Sequence, residues 1–283
     1  MISYMVSNNG FIYVASKNSI YYGYAVMACR SLKQAYPEAN VTLFTHSGFV
    51  TKESDIFDNV VTGIPVHERA KMWAMARTPY DVTVYIDVDS QVQHTDVSKL
   101  FDLLGDNDYL YTQNPPYTVS NFDFAHIDKE RSIVPPLNGS FLVYRKSNLM
   151  IEMLETWFSE FLKQKSVPWD YEFAYQVWQQ FDMFTIWRLL FCDETTHTVA
   201  YDTNFAKFRQ LQGKLINSRW NGSYTLRSQE YNGPIVITQI DGPSYQYACT
   251  SMFSEVAQII KGCDIENGAV EESEVAGFTL QIR

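Results

Sequence analysis

The 283-residue sequence predicts an α/β protein with a mixed, mainly parallel sheet flanked by helices and a C-terminal extension. Two observations carry that expectation. Near the start an apolar run, "FIYVAS" (11–16), precedes "IYYGYAVMACRSLKQAYP", where Val26, Met27, Leu32 and Tyr36 fall at helical spacing before Pro37 stops the pattern. "VTLFTH" (41–46) then reads as a second strand. Strand, helix and strand within about 35 residues make a βαβ unit, whose strands run parallel. The second observation is "VTVYI" (82–86), apolar without alternation, as a strand covered on both faces must be.

The remaining elements follow in order. "DNVVTGIP" (58–65) predicts a third short strand and "ERAKMWAMAR" (68–77) a helix. Beyond residue 94, "VSKLFDLLG" predicts a short helix and "DYLYTQ" (108–113) a strand. Residues 114–136 are too long and too rich in Pro, Asn and Asp for an ordinary connection, and such loops are commonly functional or disordered. "GSFLVYRKS" (139–147) returns as a strand, followed by helices over "NLMIEMLETWFSEFLKQ" (148–164) and "WDYEFAYQVWQQF" (169–181). "PIVITQIDGPS" (234–244) reads as a last strand ending in Asp-Gly-Pro. No internal repeat or low-complexity segment interrupts this order. We expect one domain over residues 1–250 and a C-terminal helix with an acidic tail over 251–283.

Composition narrows the function. Hydrophobic residues at 46% and aromatic residues at 15% suffice for a packed interior. The 22 basic against 32 acidic side chains give a net charge of -10, which repels nucleic acid and anionic membranes. An anionic small molecule then needs a local device, such as a metal ion or a few placed cations. Cys29, Cys192, Cys249 and Cys263 lie far apart with no CxxC spacing, so neither a zinc site nor a disulfide framework is expected. "MISYMVSNNG" lacks a basic segment followed by an apolar core, and no run approaches the ~18 apolar residues of a membrane span. The expectation is a soluble cytoplasmic protein without a membrane span.

The chemistry concentrates in "DVTVYIDVDSQVQH" (81–94), where Asp87 and Asp89 follow the buried strand directly. Residues i and i+2 of an extended chain point to one side. Ligands of open α/β sheets collect at the carboxyl ends of strands. Two carboxylates there repel unless a hard divalent cation lies between them, and Mg²⁺ or Mn²⁺ completes its shell with water and substrate phosphates. The pair therefore predicts a metal that bridges to a diphosphate. In the structural alternative Asp87 caps the next turn and Asp89 is solvated. A phosphatase loop of the haloacid-dehalogenase kind also begins with a strand and DxD, but it continues toward Gly-Thr near the start of its domain. "DVDSQV" does neither.

From these residues the chain resembles glycosyltransferases of the GT-A fold, Rossmann-like enzymes, and most closely glycosyltransferase family 8, which contains glycogenin and bacterial galactosyltransferases. The resemblance spans roughly residues 11 to 245 and rests on ordered features: "YYGYAVMACRSLKQAYP", "TPYDVTVYIDVD", "LNGSFLVYR" (137–145) and "WDY" (169–171). It implies that Tyr21 stacks on the nucleobase and that Lys71, sixteen residues before Asp87, contacts the donor. It further implies a donor-binding set of Ala15, Ser16, Tyr21, Lys71, Val88, Asn138 and Gly242. Asp170 falls at the family's donor-sugar aspartate, and Asp170 and Glu172 are the catalytic candidates. The family's late motif has a histidine ligand and, six residues on, a lysine; Gln239 and Tyr245 stand in those places here. Gln239 is thus the third metal-ligand candidate beside Asp87 and Asp89, through one carbonyl oxygen.

The resemblance implies a Mn²⁺- or Mg²⁺-dependent enzyme that moves a sugar from a nucleotide-sugar, UDP-sugars favoured, to a hydroxyl acceptor such as a glycan. An inverting enzyme needs a base, Asp170 or Glu172. In a retaining one the leaving phosphate takes the proton and Asp170 orients the donor sugar. Tyr117, Phe122 and Phe124 make the long loop a candidate acceptor surface. Two rivals remain: a non-catalytic nucleotide or sugar binder of the same fold, which Gln239 and Tyr245 favour, and a sugar-phosphate nucleotidyltransferase. Against the latter, "ASKNSIYY" after the first strand contains no glycine.

Overall fold

The computed structural model describes residues 8–113, 137–166, 182–191, 202–220, 222–223, 234–239 and 254–263. β1 (Asn9–Ala15) leads into α1 (Ser19–Ala35). Asn18 starts that helix: its backbone is extended and its side-chain oxygen accepts the Ile20 N–H at 2.9 Å. The helix closes at Tyr36, whose N–H returns to the Leu32 carbonyl at 2.7 Å just before Pro37. β2 (Val41–Thr45), β3 (Asn59–Val61), α2 (Ala70–Met75), β4 (Val82–Ile86), β5 (Ser90–Val92), α3 (Leu100–Leu104) and β6 (Tyr109–Gln113) follow. The chain continues through β7 (Leu137–Arg145), α4 (Asn148–Ser166), α5 (Asp182–Leu190), β8 (Gly213–Ile216), β9 (Gly222–Ser223), β10 (Ile237–Gln239) and α6 (254–260).

Among the described residues, seven strands form one sheet in the order β3-β2-β1-β4-β7-β6-β8. β1 pairs in parallel with β2 and β4, β2 with β3, and β6 with β8, while β7 runs antiparallel to both β4 and β6. The chain moves outward from β1 through β2 to β3 and then returns to the other side of β1 as β4. Strand order therefore reverses between β1 and β4, and the loops leaving their carboxyl ends part in opposite directions. That crevice is where open α/β sheets bind ligands. A second, smaller sheet sets β10 between β5 and β9.

Alternate residues of the central strands enter two cores. Val82, Val84 and Ile86 pack with Phe11, Tyr13, α1 and the α6 residues Val256, Ile259 and Ile260. Ile12 and Tyr85 face the other side, toward α2, α4 and α5. All five β4 residues are buried, which is why that strand carries no polar alternation. α2 is shorter than its apolar pattern predicts. Arg69 is non-helical (φ -110, ψ 24), and its N–H goes to His67 Nδ1 at 2.9 Å instead of entering a helical turn. After Met75 the chain tightens, with Arg77 N–H on the Ala74 carbonyl at 2.9 Å. β5, β8, β9 and α5 have no counterpart in the elements read from the sequence. The expected helix 169–181, the loop 114–136 and the tail from 265 lie outside the described residues. So do Cys192 and Cys249, whereas Cys29 and Cys263 are buried, their thiols directed to the Ile56 and Phe49 carbonyls at 3.8 and 3.3 Å. Among the described residues no helix is long and apolar enough to cross a membrane.

Gly10 on β1 admits the Tyr80 ring, which a Cβ at residue 10 would meet at 2.3–2.5 Å. The Tyr80 hydroxyl shares a hydrogen bond with Thr42 Oγ1 at 2.8 Å, so the ring cannot simply swing away. Gly10→Ala should lower stability by about 1–3 kcal/mol in urea unfolding, as overpacking does. Combined with Tyr80→Leu, the loss should fall short of the sum of the single losses, and strict additivity would contradict the contact.

Candidate functional site

A cleft of about 250 Å³ opens at the crevice between β1 and β4. Val14, Ser16 and Lys17 line it from the end of β1, Tyr21 from α1, residues 67–71 from the approach to α2, and Tyr85, Asp87, Val88 and Asp89 from the end of β4. Ser16 ties the first of these to the third: its hydroxyl donates to the Pro65 carbonyl and accepts the His67 N–H at 3.1 Å. His67 is wedged edge-on against Phe158 and Phe161 of α4, with ring centroids 5.7 and 6.2 Å away. The segment carrying Arg69 and Lys71 is thereby anchored at both β1 and α4.

Asp87 and Asp89 both reach the cleft, though not as neighbours on an extended strand. β4 ends at Ile86, and the Ser90 N–H closes a turn on the Asp87 carbonyl at 3.1 Å before β5 begins. The Asp87 N–H bonds the Ser140 carbonyl at 2.8 Å, which fixes where the turn starts. The Tyr85 hydroxyl, two residues back and therefore on the same face, donates to Asp87 Oδ1. Burial first, and then the Asp87 carboxylate, push the Tyr85 phenol well above its usual range, so this group stays a donor. Hard carboxylate oxygens on a turn suit a divalent cation that takes its other ligands from water and phosphate. An all-protein cage is a different arrangement, and no group of three or more His, Cys, Asp or Glu able to hold a metal occurs among the described residues.

Lys71 lies under this pair. Its Nζ donates to the Gly139 carbonyl at 2.8 Å, stands 3.1 Å from Asp182 Oδ2 and is 3.5 Å from both oxygens of Asp87. The ammonium thus hydrogen-bonds a β7 carbonyl and pairs electrostatically with carboxylates at the start of α5 and just after β4. Asp182 opens α5 and is buried; its backbone carbonyl accepts the Trp157 indole N–H at 2.8 Å, which holds that helix start against α4. Burial raises the Asp182 carboxyl, but Lys71 and then Arg69, with Nε 3.5 Å from Asp182 Oδ1, outweigh it and leave the group below its ordinary range. Gly139 leaves room for this cluster: a Cβ there would lie 3.3 Å from Asp182 Oδ2 and 3.2 Å from Met183 Cγ.

The other residues singled out in the sequence are distributed as follows. Tyr21 is 44% exposed and lines the cleft, as do Ser16 and Val88. Ala15 is buried in the core beneath them, its carbonyl accepting the Thr45 hydroxyl at 2.8 Å. Asn138 is buried on β7 with Oδ1 accepting Ser140 N–H at 3.0 Å and Ser140 Oγ–H at 2.6 Å. Gln239 on β10 pairs with Ser90, so the small sheet brings its backbone next to the residue after Asp89. Asp170, Glu172, Gly242 and Tyr245 lie outside the described residues, as do Tyr117, Phe122 and Phe124 of the long loop. Sequence reasoning missed Tyr85, Arg69 and Asp182. Only the i−2 placement of a tyrosine on a buried strand could have signalled the first. A lone acidic residue at a helix start says nothing of its burial.

No protein-family profile matches the chain, and a search of curated protein sequences finds no relative. Among solved structures, the glycosyltransferase GlyE of Streptococcus pneumoniae TIGR4 matches with a TM-score of 0.52 at 13% identity, over 93% of this chain and 66% of that one. The bifunctional glycosyltransferase WbbM matches with a TM-score of 0.50 at 13% identity, over 93% of this chain and 51% of that one. The galactosyltransferase LgtC, solved with donor and acceptor sugar analogues, gives 0.49 at 13% identity over 93% and 98% of the two chains. The first two establish the fold: a mixed, mainly parallel sheet flanked by helices, of the GT-A type.

The buried charge cluster carries a stability prediction. Removing the ammonium in Lys71→Met leaves Asp182 with Arg69 alone, 3.5 Å away, and should cost about 3–5 kcal/mol, as breaking a buried pair does. The depressed Asp182 carboxyl contributes stability that is fully present above its unfolded value, near 3.9, and is lost as pH falls through its folded value. The stability gap between the native protein and Asp182→Asn should therefore be widest at neutral pH and close below about pH 4. A gap that stays constant from pH 7 to pH 3 in urea titrations would contradict the charge assignment.

Proposed function

We propose that the protein transfers a sugar from a nucleotide-sugar, a UDP-sugar by preference, to a hydroxyl acceptor such as a glycan, with Mn²⁺ or Mg²⁺ held by Asp87 and Asp89. The observation that carries this reading is the convergence of those two carboxylates on one cleft at the strand-order reversal, with Lys71 beneath them. The shared fold with two glycosyltransferases supports it. When bound, the metal would neutralise charge on the departing diphosphate.

The chain's own groups have separable tasks in this scheme. Tyr85 and the Ser140 carbonyl hold Asp87 so that it presents a fixed carboxylate to the cleft. Lys71 adds a cation at the same point, and Asp182 compensates and orients it. Tyr21, exposed at the cleft wall, offers an aromatic face to the nucleobase. Asn138, Ser16, Ala15, Val88 and Gly242 remain the proposed donor contacts, and Gln239 the proposed third ligand through its carbonyl oxygen. Asp170 is the proposed donor-sugar group and Glu172 the base if the reaction inverts.

A second reading, binding without turnover, is favoured by Gln239 and Tyr245 standing where the family resemblance implies a histidine and a lysine. Incubation with a panel of nucleotide-sugars and Mn²⁺ separates the two, because only a transferase releases nucleoside diphosphate in proportion to acceptor. Calorimetry with UDP and GDP should show affinity that rises with Mn²⁺ and loses that dependence in Asp89→Ala. Tyr21→Ala should weaken nucleotide binding by about 1–3 kcal/mol, the value of a base stack, with thermal stability nearly unchanged. Affinities indifferent to Mn²⁺ and to both substitutions would remove the proposal.

A further inference from the structure

Lys71 has little left to offer a ligand. Its Nζ hydrogen-bonds the Gly139 carbonyl at 2.8 Å and is ion-paired with both Asp182 and Asp87, so a phosphate would have to compete with two carboxylates for it. Lys17 lines the cleft but makes its own interactions. Arg69 differs. Its side chain is 31% exposed and borders the cleft beside Asp87 and Asp89. Among the described residues its one ion pair within 4 Å is Nε with Asp182 at 3.5 Å, the charges of Asp87 and Glu68 act on it from farther off, and its two terminal nitrogens make no hydrogen bond or ion pair with the described residues. A guanidinium carries five N–H donors in a rigid fork that matches two phosphate oxygens at once. Here Nε stands 3.5 Å from a buried carboxylate without a hydrogen bond to it, the backbone beneath is held by His67 Nδ1, and the terminal nitrogens remain for a ligand at the cleft edge.

The charges lining the cleft make such a group necessary. Glu68, Asp87 and Asp89 oppose Lys17, Arg69 and Lys71, and Asp182 lies directly behind. Among the described residues the cleft has no cationic surplus to meet a ligand bearing several negative charges, in a chain whose net charge is -10. It then needs directed donors as well as a metal. We propose that Arg69 is the residue that grips the diphosphate of the donor, bidentately through its terminal nitrogens, and that it does so more than Lys71 does. This rests on the reading of the cleft as a nucleotide-sugar site and adds to it the group that recognises the leaving anion.

The test uses the intact protein and inorganic pyrophosphate, which carries the anion without a base or sugar. In saturating Mn²⁺, calorimetry should give pyrophosphate binding that Arg69→Gln weakens about ten- to a hundredfold, the weight of one or two charge-assisted hydrogen bonds. Arg69→Lys keeps the charge opposite Asp182 but lacks the fork, and should fall between the two. UDP should lose affinity in parallel with pyrophosphate, while uridine, which has no phosphate, should not change. Pyrophosphate binding equal to the native protein in both variants would overturn the role of Arg69 and leave sugar transfer standing. Equal losses for uridine and pyrophosphate would also overturn it, since that pattern reports general damage to the cleft. A native protein that binds neither pyrophosphate nor any nucleoside diphosphate with Mn²⁺ would overturn both readings.

Discussion

The contact on which the cleft depends is the ammonium of Lys71, shared between Asp182 on one helix, Asp87 at the end of the central strand and the Gly139 carbonyl of the neighbouring antiparallel strand. A buried cation is costly unless its hydrogens all find acceptors, and a buried carboxylate is costly unless it is paired. Each group here makes the other tolerable. The result is that three segments far apart in sequence are held to one point within hydrogen-bonding distances. Asp87 is consequently a rigid carboxylate, steadied by Lys71, by the Tyr85 hydroxyl and through its own N–H by Ser140.

That arrangement is possible because of the sheet. β1 and β4 are parallel neighbours at the reversal of strand order, so their carboxyl ends open into a common space. β7 runs the opposite way beside β4, so its first residues, Asn138 to Ser140, arrive at the same end. The short sheet of β5, β9 and β10 then returns Gln239 to the vicinity of Ser90. The cleft is thus assembled from strand ends, and its helices contribute from their first turns.

Much of this was legible in the sequence because it depends on local pattern. The βαβ start, the fully buried β4 and the amphipathic α4 all announce their burial through their patterns, and Asp87 and Asp89 stand out as two carboxylates directly after a buried strand. Strand alternation does not account for their convergence: the chain turns at Asp87 instead of staying extended, and the turn carries Asp89 to the cleft. Asp182 and Arg69 were not legible. Their meaning comes from a pairing made only when α5 packs on α4 and the Arg69 backbone leaves the helical path for His67. Short strands such as β8 and β9 escaped for a related reason, since "GKLI" is mostly exposed and carries no hydrophobic alternation.

The central claim is that the two carboxylates at the end of β4 gather a divalent cation and a nucleoside diphosphate in one place. Anomalous scattering at the manganese edge from crystals grown with Mn²⁺ and UDP or GDP tests it most directly. The account predicts one strong peak between the side chains of Asp87 and Asp89, with diphosphate density against it on the Arg69 side of the cleft. A nucleotide bound in the cleft with manganese elsewhere or nowhere would contradict it.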